Sequence, residues 1–192
     1  MPSAQPSLSP EEYLAWERRQ ETRHDYVNGE IHAMTGASRR HNLICGNLLA
    51  SLHGQLRGHP CEVYANDMRV KVDATGLYTY PDLVVACDRP EFEDAQIDTL
   101  LNPVLIVEVL SESTENYDRG AKFAHYRNLS SLLEYLLIAQ DEYRLEHYAR
   151  QPGDRWLLTD YRGLEACITL VSIDCQVSFC DLYERVDFEE CA

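Results

Sequence analysis

The sequence contains no long apolar run and no leader-like start. No stretch of about 18 apolar residues, the length that a membrane-spanning helix needs, occurs among its 192 residues. The first ten residues also lack the basic start and apolar stretch of a secretion signal. The sequence therefore predicts a soluble, cytoplasmic protein without a membrane partner.

Paired cysteine motifs are also missing. The seven cysteines, at positions 45, 61, 87, 167, 175, 180 and 191, include no Cys-x-x-Cys pair, and this spacing disfavours a zinc site. Most of them lie in apolar runs, as Cys87 does after residues 83–86. They are expected to be small buried thiols in a reducing cytoplasm.

Basic residues are few. The chain has 17 lysines and arginines against 32 acidic residues, a formal net charge of −15. This excess argues against broad, nonspecific adhesion to nucleic acid or to an anionic membrane. A groove for nucleic acid would depend on a local group of basic side chains. The candidates are Arg18, Arg19, Arg39, Arg40, Arg57, Arg69 and Lys71.

The length and the apolar patterns predict one α/β domain over residues 1–192, with a core at about 38–140. Ser9 and Glu12 have the spacing of a capping box that opens an N-terminal helix, and Asn28-Gly29 predicts a hairpin. A helix at 38–57, β-rich runs at 61–72, 77–87 and 104–111, a helix carrying Lys122 and a run at 134–139 give the core order α-β-β-β-α-β. Four later alternating runs are expected to extend a mixed central sheet.

Two carboxylates interrupt apolar strand patterns. Asp82 follows Pro81, where a strand that begins or bulges would leave the carboxylate free to point into a cleft. Glu108 lies inside the apolar run 104–111. A carboxylate loses hydration there unless a positive partner compensates, and a divalent cation is one such partner. The structural alternatives are an Asp that closes a turn and a Glu that is paired with an Arg.

Lys122 completes the group in the order strand acid, strand acid, helix lysine. Beside two metal-bound carboxylates, a lysine stabilises charge on a phosphate or positions the attacking water; otherwise it is a solvated helix residue. Three more residues have an assisting role as one alternative and a structural role as the other: Glu30 as a third acid or a hairpin surface residue, His41 as a ligand or substrate contact at a helix start, and Gln140 at a strand end.

The arrangement resembles the PD-(D/E)XK superfamily of restriction-endonuclease-like nucleases, and more narrowly a bacterial restriction endonuclease family once labelled a domain of unknown function. Six ordered segments carry the narrower resemblance: Asp25-Tyr26-Val27-Asn28-Gly29-Glu30, His41-Asn42, Tyr80-Pro81-Asp82, Glu108-Val109-Leu110-Ser111, Asp118-Arg119-Gly120-Ala121-Lys122 and Glu134-Tyr135. The resemblance implies that Asp82 and Glu108 are ligands of Mg²⁺ or Mn²⁺. The superfamily motif places a lysine two residues after the second acid, where this chain has Leu110, and Lys122 is expected to take that place.

The resulting hypothesis is a metal-dependent endonuclease that hydrolyses DNA phosphodiester bonds, with a homodimer as the simplest way to cut two strands. Two alternatives stay open. One is an inactive nucleic-acid or protein-interaction module of the same fold, and the other is a metal-dependent hydrolase of a small phosphorylated substrate. Metal binding separates the first alternative from the enzyme, and salt-dependent DNA binding separates the second.

Overall fold

The computed structural model describes residues 8–34 and 36–188 of the chain. Within these ranges a π-helical turn, Asp118–Lys122, lies between α3 and α4. The α-helices are α1 Pro10–Glu17, α2 Arg39–Gln55, α3 Glu115–Tyr117, α4 Phe123–Tyr126 and α5 Phe179–Leu182. The strands are β1 His24–Val27, β2 Glu30–Ala33, β3 Cys61–Ala65, β4 Arg69–Val72, β5 Leu77–Thr79, β6 Leu83–Cys87, β7 Thr99–Leu100, β8 Leu105–Val109, β9 Glu134–Ile138, β10 Arg144–Gln151, β11 Arg155–Arg162, β12 Cys167–Leu170 and β13 Cys175–Ser178.

A six-stranded mixed sheet forms the centre of the molecule, in the order β11-β10-β9-β8-β6-β3. β8 and β9 run parallel, and the other neighbours are antiparallel. One face packs on the apolar side of α2, and the other packs on the helical segment 115–126. The predicted α-β-β-β-α-β core and mixed sheet are confirmed.

The two faces of β8 determine where its carboxylate points. Successive side chains of a strand point to opposite faces of the sheet. Val107 and Val109 pack in the cluster that contains the α2 leucines, whereas Ile106 and Leu110 pack with Phe123 and Tyr126. Glu108 therefore faces the helical segment 115–126.

Two predicted strands are each divided between two sheets. The run 61–72 contains β3 and β4, and the run 77–87 contains β5 and β6. Of these four strands, β3 and β6 belong to the central sheet. β4 and β5 belong to a second sheet in the order β2-β1-β5-β4-β7. The expectation of one strand per run was wrong because the chain crosses between the sheets at each break. Asp82 lies at the second break, immediately before β6.

The C-terminal strands differ in part from the expectation. β10 and β11 extend the central sheet as predicted, but β12 and β13 form a separate hairpin. The apolar side chains Ile168, Leu170 and Val177 pack into the same cluster as α2 and α5. This hairpin covers the core instead of adding to the edge of the sheet.

The local signals at the N-terminus are confirmed. Ser9 and Glu12 make both bonds of the capping box at the start of α1. Asn28 and Gly29 have φ values of 50° and 89°, as a tight hairpin with a type I′ turn requires. None of the helices in the described ranges combines the length and the apolar character that crossing a lipid bilayer requires.

The expectation of separate, buried thiols was wrong for most of the cysteines. Cys61 and Cys87 form a disulfide between facing positions of β3 and β6. Their partnership arises from strand pairing across 26 residues, which no local pattern reveals. Cys167 and Cys180 are exposed, Cys45 is half-buried and Cys175 is buried. Cys191 lies outside the described residues.

Candidate active site

Asp82 and Glu108 face each other at one end of the central sheet. The β6–β8 pairing sets Leu83 opposite Val107, so that the next position along each strand places Asp82 opposite Glu108. Asp82 Oδ2 accepts a hydrogen bond of 2.7 Å from the backbone N–H of Val109. Like charges directly opposite each other destabilise an antiparallel pair. A compensating cation is therefore expected here.

Glu108 is buried beside one cation and one hydroxyl. Only 4% of the residue is exposed. Its Oε1 lies 2.8 Å from Lys122 Nζ and accepts a hydrogen bond of 2.8 Å from the Tyr126 hydroxyl. Burial raises the pKa of Glu108 to about 8, against the opposing attraction of Lys122 and with added repulsion from Asp118 and Asp82. The protein alone therefore stabilises the ionised form of Glu108 incompletely.

Lys122 reaches the strand acids from the π-helical turn. Such turns inside α-helices are frequent at functional sites. Lys122 Nζ also lies 3.6 Å from Asp118 Oδ1, one turn earlier. Burial alone would lower the pKa of Lys122, but the charges of Glu108, Asp25 and Asp118 raise it well above its usual value. The amine is therefore a charged group held among carboxylates.

The start of α2 brings His41 against Asp82. Ser38 caps this helix by accepting a hydrogen bond of 3.0 Å from the backbone N–H of His41. The imidazole Nε2 then lies 3.1 Å from Asp82 Oδ2. On its other side, His41 Nδ1 is 3.5 Å from the sulfur of Cys45, one helical turn further along.

Gln140 connects the helix start to the end of β8. Its Nε2 donates a hydrogen bond of 2.8 Å to the carbonyl of Leu110. Its Oε1 accepts from the hydroxyl of Ser38. Gln140 therefore holds the cap of α2 close to the strand that carries Glu108.

These side chains line one cleft of about 1100 Å³. The structure brings together five of the six residues that the sequence selected: Asp82, Glu108, Lys122, His41 and Gln140. It does not bring Glu30 to them. Glu30 lies on the outer hairpin with 78% of its side chain exposed, 3.8 Å from His32. Asp25, from the neighbouring strand, lines the cleft instead.

Sequence reasoning missed two partners of the lysine. Asp118 precedes Lys122 by four residues and Tyr126 follows it by four, and both contact the Lys122–Glu108 pair. Residues four apart share one face of a helix, so this spacing was a usable signal.

The donor set fits a hard divalent cation. Asp82, Glu108, Asp25 and Asp118 line the cleft together with Lys122 and His41. The hydrogen bonds of the two strand acids involve Glu108 Oε1 and Asp82 Oδ2. Carboxylate oxygens are the ligands that Mg²⁺ and Mn²⁺ prefer. Asp82 and Glu108 can hold such an ion between the two strands.

The seven basic residues proposed for a groove do not gather at this cleft. None of them lines it. Three of them pair with acids elsewhere: Arg18 with Asp94 and Asp98, Arg69 with Asp98, and Lys71 with Glu93. The cationic side chains that line the cleft are Arg23 and Lys122, and Arg23 lies 3.2 Å from Asp67.

Comparison with known proteins gives matches over most of the chain. A family model described as "Uma2: Putative restriction endonuclease" matches residues 10–177. Two uncharacterized proteins of Synechocystis sp. are similar. One, slr1290, is 40% identical over 82% of this chain and 82% of its own length. The other, sll1609, is 38% identical over 83% of this chain and 90% of its own length.

A solved structure shares the fold. It is described as a putative nuclease belonging to DUF820 from Anabaena variabilis, and it matches with a TM-score of 0.74 at 15% sequence identity. The match covers 92% of this chain and 97% of that chain. The mixed α/β architecture is therefore that of a restriction-endonuclease-like nuclease fold.

Proposed function

Because this chain belongs to the Uma2 family, whose description is "Putative restriction endonuclease", we propose that it is a metal-dependent endonuclease that hydrolyses DNA phosphodiester bonds. The family supports a nuclease, and the proposal adds the metal and the DNA substrate. The observation that carries it is the group of Asp82, Glu108 and Lys122, in which two facing strand acids lie beside a buried, charged amine. The proposed location is the cytoplasm.

Asp82 and Glu108 would hold Mg²⁺ or Mn²⁺, which supplies Lewis acidity at the phosphate and lowers the pKa of the attacking water. Lys122 donates hydrogen bonds to a phosphoryl oxygen as negative charge grows on it in the transition state. Asp118 and Tyr126 fix the position of the amine and of Glu108.

The remaining cleft residues orient this group. His41 and the Val109 N–H hold one oxygen of Asp82, Oδ2. Gln140 connects the first turn of α2 to the end of β8 and keeps His41 at its distance from Asp82. His41 and Gln140 therefore act by positioning Asp82 and the strand that carries Glu108.

The test is cleavage of supercoiled plasmid by purified protein with Mg²⁺ or Mn²⁺, and with a chelator as the metal-free reference. Asp82→Asn, Glu108→Gln and Lys122→Met each remove one member of the group and should lower the rate by about 100-fold or more, because each removes stabilisation of transition-state charge. Glu165→Gln, which changes an exposed acid outside the cleft, is the matched control and should cleave normally.

Intact plasmid with the wild-type protein, together with measured Mg²⁺ binding, would contradict the endonuclease and favour an inactive module of this fold. Cleavage that survives Glu108→Gln and Lys122→Met would contradict the assignment of the site. Circular dichroism of each variant separates lost chemistry from lost folding.

A homodimer is the proposed assembly, since two sites related by a two-fold axis cut both strands at one position. Sedimentation should then give twice the mass of the chain, and plasmid should be converted to linear product. A monomer that only nicks the plasmid would contradict this assembly.

A metal-dependent hydrolase of a small phosphorylated molecule is the second candidate. It is favoured by the small number of basic residues at the cleft, since neither Arg57 nor the other six candidates line it. The endonuclease predicts DNA binding that weakens as salt increases, because phosphate contacts release counterions. Absence of salt-dependent DNA binding, with hydrolysis of a small phosphodiester, would favour the second candidate.

A further inference from the structure

One side of the cleft carries a donor set of a different chemical type from the two strand acids. His41, Cys45 and Asp82 each present one ligand atom, and these three atoms lie within 4.8 Å of one another. They offer nitrogen, sulfur and oxygen. Hard cations such as Mg²⁺ select oxygen, whereas imidazole with thiolate selects zinc and similar ions.

The geometry of this trio comes from α2 and from the start of β6. His41 and Cys45 are four residues apart on α2 and therefore share one face of the helix. An ion binds only one of the two imidazole nitrogens, and with one ligand atom taken from each residue the three atoms lie within 4.8 Å of one another. Tetrahedral zinc, with bonds of about 2.0–2.3 Å, places its ligand atoms roughly 3.3–3.8 Å apart. Contraction by about 1 Å or less therefore suffices.

We propose that His41, Cys45 and Asp82 form a binding site for a borderline transition-metal ion, with Zn²⁺ as the best-matched ion. Three protein ligands leave a fourth position open, as in zinc sites that also bind water or substrate. The site goes beyond the proposed endonuclease, because it uses a thiol and an imidazole that Mg²⁺ does not require.

The surroundings of the trio suit an ion that enters from solution. His41 and Asp82 have 14% and 15% of their side chains exposed, and all three residues line the cleft. Asp82 keeps a hydrogen bond from the Val109 N–H, which fixes its orientation. Burial and the nearby charges of Asp82 and Glu108 raise the pKa of the Cys45 thiol. Binding must therefore displace the thiol proton, which passes to the solvent.

The absence of a Cys-x-x-Cys pair does not bear on this site. That spacing belongs to ligands in tight turns, whereas a helix presents two ligands four residues apart. The sequence signal is His41-x-x-x-Cys45, and a third ligand from a distant strand completes it.

The test uses Co²⁺ as a spectroscopic substitute for Zn²⁺. Protein is prepared without metal, under anaerobic conditions and without thiol reductant, so that the Cys61–Cys87 disulfide stays intact. Titration with Co²⁺ should give the near-ultraviolet sulfur-to-cobalt charge-transfer absorption of a thiolate ligand, saturating at one ion per chain. Stoichiometric Zn²⁺ should abolish the absorption.

Variants identify the ligands. Cys45→Ser should abolish the absorption, and His41→Ala and Asp82→Asn should weaken Co²⁺ binding by about 100-fold or more, since loss of a ligand costs more than loss of an outer-shell partner. The exposed Cys180 provides the matched control, and Cys180→Ser should leave the titration unchanged.

Absence of the absorption in the wild-type protein would overturn the proposal, as would its persistence in a folded Cys45→Ser protein. Asp82 belongs to both proposed sites, so the two proposals are separated by variants that leave His41, Cys45 and Asp82 in place. Glu108→Gln and Lys122→Met should keep the sulfur-to-cobalt absorption whether or not the wild-type protein cuts DNA.

Discussion

At Glu108, a carboxylate occupies a strand position whose neighbours along β8 are buried and apolar. The residue-level explanation is that Glu108 lines the cleft while its Oε1 is held by Lys122 and Tyr126. A buried ion pair gives little net stability, because desolvation offsets the attraction between the charges. The burial of Glu108 is therefore explained better by the site than by packing.

Separate substitutions of Asp25 and Glu30 by their amides test which of the two acids contributes to the metal site. Asp25→Asn removes a carboxylate whose charge acts on Lys122 and should lower both Mg²⁺ affinity and plasmid cleavage by about tenfold. Glu30→Gln removes an exposed hairpin carboxylate and should leave both nearly unchanged. Mg²⁺ titration and plasmid-cleavage rates of the two variants show which acid contributes. Loss of activity in Glu30→Gln alone would restore Glu30 as the third acid.

Glu134 should make stability depend on acid pH. It accepts hydrogen bonds from His147 Nε2 at 2.8 Å and from the Ser172 N–H at 3.0 Å. Burial raises the pKa of Glu134, but the bonds from His147 and Ser172 outweigh burial and bring it below the usual 4.5. A depressed folded-state pKa stabilises the protein above the unfolded pKa, and this contribution is lost as pH falls through the folded pKa.

Glu134→Gln should therefore lower the free energy of unfolding by about 1–3 kcal/mol at pH 7. The difference in unfolding free energy between the variant and the wild type should shrink once the pH falls below about 4.5. There the Glu134 carboxyl of the unfolded wild-type chain begins to take up a proton, and the folded protein follows at lower pH. Urea unfolding at several pH values measures it, with the exposed Glu165→Gln as control. An equal difference at pH 7 and pH 3 would exclude this carboxylate as the cause.

At the scale of elements, the sequence predicts what local patterns determine. The leucines of α2 recur at helical spacing, Asn28-Gly29 forces a tight turn, and Pro81 marks the start of β6. The division of 77–87 between two sheets depends on pairing with distant strands, since β5 pairs with β1 and β4 while β6 pairs with β3 and β8. The Cys61–Cys87 disulfide is non-local in the same way.

Of the candidate site, the two strand acids were predictable because each interrupts an apolar strand pattern, and Lys122 was predictable only from its order after them. Asp25 was not, since an Asp before a hairpin turn is an ordinary surface residue by sequence. Only the pairing of β1 with β5 places Asp25 beside Tyr80, whose backbone N–H lies 3.4 Å from Asp25 Oδ1. Contacts between strands that are distant in the sequence can be seen only in the tertiary structure.

The disulfide between β3 and β6 should stabilise the edge of the central sheet. Its cysteines are 26 residues apart, and closing a loop of that length in the unfolded chain corresponds to about 3 kcal/mol. The Cys61→Ser/Cys87→Ser double variant should lose about that free energy of unfolding, as urea titration measures it. Cys180→Ser is the control. Equal stability of the wild type and the double variant, with Cys61 and Cys87 found as free thiols by mass spectrometry, would show that the pair is reduced in the purified protein.

For the whole molecule, the two sheets share one apolar cluster. Val70, Val72 and Leu77 of the second sheet pack with Val84 and Ile106 of the central sheet. This shared cluster supports the proposal of a single domain, because neither sheet can expose this surface without affecting the other. Several acids pair with arginines away from the cleft, as Asp94 and Asp98 do with Arg18 and Asp160 does with Arg144.

Unfolding should therefore be one cooperative transition. Trp16 lies on α1 beside the second sheet and Trp156 on β11 of the central sheet, so that Trp16→Phe and Trp156→Phe each leave one local fluorescence probe. In urea, the fluorescence midpoint of each variant should equal that variant's circular-dichroism midpoint. Separate midpoints would indicate two units that unfold independently.

The π-helical turn that delivers Lys122 also affects how relatives can be recognised. A sequence motif that requires a lysine two residues after an acid does not match this chain, although Lys122 Nζ lies 2.8 Å from Glu108. A three-point spatial template of two carboxylates and one amine would retrieve it. The connection between strand and helix can lengthen or shorten while those three points stay fixed. Proteins with this arrangement are therefore better identified by the positions of these side chains in space than by a sequence motif.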